Sequence, residues 1–143
     1  MKKKSNPKIV TAAIIERDGN ILIAKRKIGK MHPGKWEFPG GTFEEGETYE
    51  QCLRRELQEE LDVSSEIGDL ICCSEHTYAS GWTIRLLVYR TKVLSDNFKL
   101  RDHKEIRWVK PEDLIKYDFS EADLPIVEKL ISENRNLTQQ NIP

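Results

Sequence analysis

The chain has 143 residues, with 23 Lys plus Arg against 24 Asp plus Glu, for a formal net charge of −1. That length suits one domain over residues 1–143, with a core large enough to fold without disulfides or a structural metal. The near-neutral balance excludes a general attraction to long nucleic acids or anionic membranes. Three cysteines, with Cys72 and Cys73 adjacent, form neither a disulfide framework nor a zinc set, which points to a reducing cytoplasm.

The charged start MKKKSNPKIV is not followed by an apolar run of leader length, and no stretch approaches a membrane span of about 20 apolar residues. Residues 8–17 carry the β-branched run IVTAAII and predict a strand, with Asp18-Gly19 as a hairpin turn and residues 21–27 as the returning strand. A polar loop follows, punctuated by His32-Pro33-Gly34, where a flap is expected. Trp36–Phe38 is a short apolar segment that ends at Pro39-Gly40-Gly41.

Thr48 and Gln51 have capping-box spacing, so a helix is predicted over 49–61. Residues 66–78 and 82–93 predict two strands joined at Ala79-Ser80-Gly81, and residues 104–109 another. Pro111 opens a helical turn. A last helix begins between Ser120 and Asp123 with Val127, Leu130 and Ile131 on one face, and the polar tail from Asn134 is expected to fray. The order is β-β-β-α-β-β-β-α. It predicts an α+β domain with the sheet packed between two helices.

The helix over 49–61 carries the chemistry. Glu56, Glu59 and Glu60 stand at i, i+3 and i+4, where like charges are neighbours and repel. They lie toward the helix C-terminus, where the macrodipole also disfavours anions. On a helical wheel Tyr49, Cys52, Leu53 and Leu57 form the apolar stripe, and Glu56 and Glu60 point into it while Glu59 flanks it. A solvated charge run would face the other way. Carboxylates on an inward face need a cation, and all-oxygen donors suit Mg²⁺ first and Mn²⁺ next. Gly40-Gly41 allows close backbone approach, so a carbonyl there is a further candidate ligand.

Gly41, Glu47, Arg55, Glu56, Leu57, Glu59, Glu60 and Val63 resemble the Nudix box, G-x5-E-x7-R-E-U-x-E-E-x-G-U with U aliphatic. One specified position departs: the late glycine is Asp62, which tolerates a left-handed backbone better than most residues. The flanks AAIIERDGNILIAKR, KWEFPGG, EIRWVKPEDL and FSEADLPIV are similar to the MutT-like branch, so the resemblance spans about residues 8 to 132.

The resemblance implies a Nudix-type α/β/α sandwich with a mixed sheet and a hydrolase for a nucleoside diphosphate linked to a further group. It implies Glu59, Glu60 and the Gly40 carbonyl as metal ligands. Glu56 would be a third ligand or the general base, and Arg55 would orient a carboxylate with Glu47 as its partner. An acidic residue on a later loop completes such sites: Asp102 aligns best, with Glu105 as the alternative. Arg26 matches a phosphate-contacting position, Phe38 an aromatic beneath the base, and Asp123 a base-reading position. Trp82 and Tyr78, near a hairpin turn, are candidates for base stacking or ordinary sheet aromatics.

The A-D-x-P form around Asp123 resembles CTP pyrophosphohydrolases, so cytidine nucleotides are expected ahead of 8-oxo-dGTP, with nucleoside monophosphate and pyrophosphate as products. An ionised Asp123 accepts hydrogen bonds only, which suits a cytosine amino group. The alternatives are a hydrolase of another nucleoside diphosphate-X compound and a non-catalytic nucleotide sensor. His76 and His103 read as surface or hydrogen-bonded loop residues. The partner is a small nucleotide, and a homodimer is left open.

Overall fold

The computed structural model describes residues 7–28 and 33–140, with side chains of 137–140 excepted. His32, placed in a flap by the sequence, lies outside the described residues. The elements are β1 Lys8–Arg17, β2 Asn20–Arg26, β3 Trp36–Glu37, β4 Gly40–Thr42, α1 Tyr49–Leu61, β5 Ser65–Thr77, β6 Thr83–Val93, β7 His103–Val109 and α2 Leu124–Gln140. Two 3-10 turns, Pro111–Lys116 and Glu121–Asp123, precede α2.

The sheet is mixed, in the order β3-β2-β1-β6-β5, with β4 added to β1 and β7 to β2. β1 and β6 run parallel, and the other pairs are antiparallel. The free side of β1 is shared: Val10–Ala12 pair with β4, and Glu16-Arg17 pair with β2 through the Asp18-Gly19 hairpin.

Alternation along the central strands divides the core in two. Ala12, Ile14, Ile21, Ile23, Leu86 and Val88 face Ile126, Val127 and Leu130 of α2. Ala13, Ile15, Leu22, Leu87 and Tyr89 face Leu53, Leu57 and Leu61 of α1. This explains why β1 reads as a continuous apolar run: both of its faces are covered. The result is the expected sheet between two helices.

Two expectations need correction. Gly40–Thr42, read as a turn, is a strand on β1; its glycines hide the β signal but allow the backbones to approach. A Cβ on Gly40 would lie 1.9 Å from the Thr11 carbonyl oxygen. The stretch from Asn134, read as fraying, is helical to Gln140, and the Asn134 amide donates to Glu112 at 3.3 Å.

Candidate active site

Helix α1 starts as its sequence dictates. Thr48 Oγ1 accepts from the Gln51 N–H at 3.0 Å, and Gln51 Oε1 accepts from the Thr48 N–H at 2.8 Å. Its buried stripe of Cys52, Leu53, Leu57 and Leu61 anchors it on the sheet. The helix ends at Asp62 in the left-handed region, φ 57° and ψ 41°, the conformation that the missing glycine would have taken. Asp62 Oδ1 accepts from Gln58 at 3.1 Å and from Arg101 at 3.4 Å.

Arg55 is the hub of the polar face. It donates to both Glu47 oxygens at 3.1 and 2.9 Å, to Glu56 Oε1 at 2.9 Å, to Glu59 Oε2 at 3.3 Å and to the Thr42 carbonyl at 3.2 Å. The expected Arg55–Glu47 pair is therefore formed, and the guanidinium holds the Glu47 carboxyl down at about 2. Glu56 lies against Gly41: a Cβ there would stand 2.3 Å from the Glu56 carboxyl carbon. Burial raises Glu56 above the ordinary carboxylate range, and the nearby Arg55 only partly offsets this.

Glu60 is the outlier of the site. Burial, reinforced by the charges of Glu37, Glu56 and Asp102, pushes it up to about 9. The Gly40 backbone N–H opposes the shift, yet Oε2 is buried with no hydrogen-bond partner. An orphaned carboxylate oxygen facing other carboxylates is costly unless it is protonated or receives a cation. Among the described residues no group of three His, Cys, Asp or Glu side chains is already drawn together as a ligand set. Glu56 and Glu59 pair with Arg55 instead.

A cavity of about 360 Å³ opens beside this helix, and a smaller one of about 100 Å³ adjoins it, sharing Arg26, Glu37 and Glu60 as walls. Arg26 lines both cavities and ion-pairs with Glu37. Glu37 also accepts from His103 Nε2 at 2.9 Å. Burial pushes Glu37 up, but His103 and Arg26 outweigh it and hold the carboxyl below its usual range. Asp102 lines the smaller cavity with Glu60. Glu105 instead turns to Arg107 and Lys25, at 3.0 and 4.0 Å.

Phe38 and Asp123 line the larger cavity with Tyr78 and Ser120. Phe38 is buried and stacks on Phe119 with centroids 5.2 Å apart. Asp123 is 6% exposed. Burial holds its carboxyl well above the usual range, although the Phe38 backbone N–H bonds to it.

Trp82, a candidate for base stacking or an ordinary sheet aromatic, does not line the cavity. It sits at the β5–β6 hairpin tip, 64% exposed. Tyr78, four residues earlier, lines the cavity in its place. Of the two readings of His103, surface or hydrogen-bonded, the second holds: it is buried at the start of β7 and bonds to Glu37. Glu37 was missed. Its one sequence signal is a lone charge in the apolar run Trp36-Glu37-Phe38: both aromatics are buried on one side, so period-two geometry sends the carboxylate to the other.

The site thus brings together carboxylates on one helix, a glycine strand against them and an arginine in the adjoining cavity. The chain belongs to the Nudix family, matching the NUDIX domain over residues 6–130, and is a hydrolase of that family. It is 36% identical over 123 residues to the CTP pyrophosphohydrolase of Escherichia coli K12, covering 86% of this chain and 90% of that protein. It is 36% identical over 117 residues to the putative 8-oxo-dGTP diphosphatase 2 of Mycobacterium tuberculosis H37Rv, covering 80% and 82%. The crystal structure of a MutT Nudix hydrolase from Burkholderia pseudomallei superposes with a TM-score of 0.77 at 30% identity, over 87% of this chain and 98% of that one. Nudix hydrolases generally use divalent metal cations. No described helix is long and apolar enough to cross a membrane.

Proposed function

We propose that the chain hydrolyses nucleoside triphosphates, cytidine nucleotides first, to the monophosphate and pyrophosphate with Mg²⁺. The observation that carries this reading is the partnerless Glu60 oxygen facing Glu37, Glu56 and Asp102. A set of hard, crowded oxygens suits Mg²⁺, with Mn²⁺ as the substitute. Glu56, Glu59, Glu60, Asp102 and the Gly40 carbonyl would hold the ion. When bound, it supplies neutralisation of phosphate charge and acidification of a ligated water.

The other roles belong to the chain. Arg55, fixed by Glu47, orients Glu56 and Glu59 from one side. Glu56, raised by burial, is the proposed proton acceptor, since a base nearer neutrality works better than an ordinary carboxylate. Arg26 lies in both cavities, so it can reach a phosphate while Glu37 limits its swing.

The base edge follows from Asp123. Burial raises its carboxyl well above the usual range, and in its protonated form it offers an O–H donor beside a carbonyl acceptor. That pair complements the ring-nitrogen acceptor and amino donor of cytosine, whereas the two adjacent donors of guanine suit an ionised carboxylate. Either form of Asp123 offers cytosine a partner: the ionised one accepts from the amino group, and the protonated one also donates to the ring nitrogen. The E. coli relative's name points the same way.

The test is pyrophosphate release with Mg²⁺ across CTP, dCTP, 5-methyl-dCTP, 8-oxo-dGTP and ATP, with dinucleotide and sugar-linked substrates alongside. Cytidine triphosphates should lead. Turnover confined to dinucleotide or sugar-linked compounds would overturn the triphosphate assignment.

A further inference from the structure

The larger cavity has two walls far apart in the chain. Tyr78 comes from the turn after β5, and Ile84 and Leu86 from β6; Ser120, Ala122 and Asp123 come from the 3-10 turn before α2 and its preceding residue. A side-chain contact reaches across: His76 Nε2 lies 3.1 Å from Glu121 Oε2, over 45 positions of sequence. His76 also packs edge-on against Tyr78, with ring centroids 4.6 Å apart and planes at 85°.

Both partners sit one step from the cavity lining. Glu121 immediately precedes Ala122 and Asp123, whose turn is closed by the Asp123 N–H to the Ser120 carbonyl at 3.0 Å. Next to His76 on β5, Glu75 is taken by Arg85 of β6 at 2.7 Å. β5 is an edge strand with β6 as its one strand neighbour, so its far end is tied to β6 and its turn, as by Thr77 Oγ1 to Thr83 Oγ1 at 2.9 Å, and to the 3-10 turn through His76. The three-residue 3-10 turn is held at its start by the Ser120 N–H to the Trp36 carbonyl at 2.9 Å, and the His76–Glu121 contact ties it to the opposite wall.

We propose that His76 is a positioning residue for nucleotide binding. By bonding Glu121 it clamps the turn bearing Asp123 against Tyr78 and keeps the base end of the cavity at its working width. This rests on the cavity being the nucleotide site. His76 touches no reacting atom, so it acts on affinity rather than on the chemical step. A partly exposed pair of this kind is weak, so the change expected on losing it is about two- to fivefold.

Three variants of the full chain test the clamp: His76→Ala, His76→Gln, which keeps an N–H donor, and the His76→Ala/Glu121→Gln double. Two quantities are read: hydrogen exchange at the Ala122 and Asp123 amides without nucleotide, and kcat and KM for CTP. His76→Ala should speed exchange at those amides and raise KM about two- to fivefold with kcat unchanged. His76→Gln should restore both, and the double variant should be no worse than the single. Wild-type exchange and KM in His76→Ala would overturn the clamp. Equal damage to kcat and KM that glutamine does not rescue would also overturn it, as general loosening. If the wild-type chain fails to turn over CTP, the proposed function falls, while the exchange measurement still decides whether the clamp exists.

Discussion

Replacing Glu60 by glutamine should make the metal-free protein more stable while abolishing its chemistry. The folded carboxyl titrates near 9 against an ordinary 4.5, so the folded state holds a proton that the unfolded chain releases. The stability is fully present below pH 4.5 and is lost progressively as pH rises toward 9, because each unit in that window favours the unfolded chain by about 1.4 kcal/mol. At pH 7 this reaches about 3.4 kcal/mol as a ceiling, and solvent relaxation around the site brings the expected gain of Glu60→Gln to about 1–3 kcal/mol. Urea melts in EDTA at pH 4, 7 and 8.5 read it: the two proteins should match at pH 4 and diverge as pH rises. Saturating Mg²⁺ should reverse the order, since the ion binds the native wild-type protein. Turnover should fall by at least two orders of magnitude. A variant no more stable than wild type in EDTA at pH 8.5, or a gap that ignores pH, would refute the reasoning.

Asp62→Gly relieves a left-handed backbone but loses the contacts to Gln58 and Arg101; calorimetry should find stability unchanged or raised by up to about 1 kcal/mol, with full activity. Gly41→Ala puts a methyl 2.3 Å from the Glu56 carboxyl carbon. Steady-state assays should show at least a tenfold loss of kcat, on the order of a displaced catalytic group, while the fold survives by circular dichroism. Asp123→Asn keeps a donor beside an acceptor, so the ratio of kcat/KM for CTP over 8-oxo-dGTP should persist; Asp123→Leu should abolish it. A ratio that collapses in Asp123→Asn would mean that the carboxylate reads the base ionised.

Helix α1 was legible in the sequence to its last residue. A capping box at Thr48 and Gln51, an apolar stripe at helical spacing and Asp62 at the left-handed cap are all local, and local hydrogen bonds decide them. The Arg55–Glu47 pair followed from the resemblance to the Nudix box, and the structure forms it. The sheet between two helices followed from the period-two and helical patterns of burial. What remained open depends on partners distant in the chain. β4 exists because β1 lies beside it, 30 residues away, a register that two glycines cannot announce. Asp102, just before β7, shares a cavity with Glu60 whereas Glu105, within β7, pairs with Lys25 and Arg107, and Tyr78 rather than Trp82 reaches the larger cavity. Glu37 acquires its meaning from Arg26 and His103, the latter 66 positions on. Short-range geometry thus determined the helix that carries the acids, whereas strand pairing decided which other side chains meet them, since a carboxylate's ionisation depends on the charges that the fold packs around it.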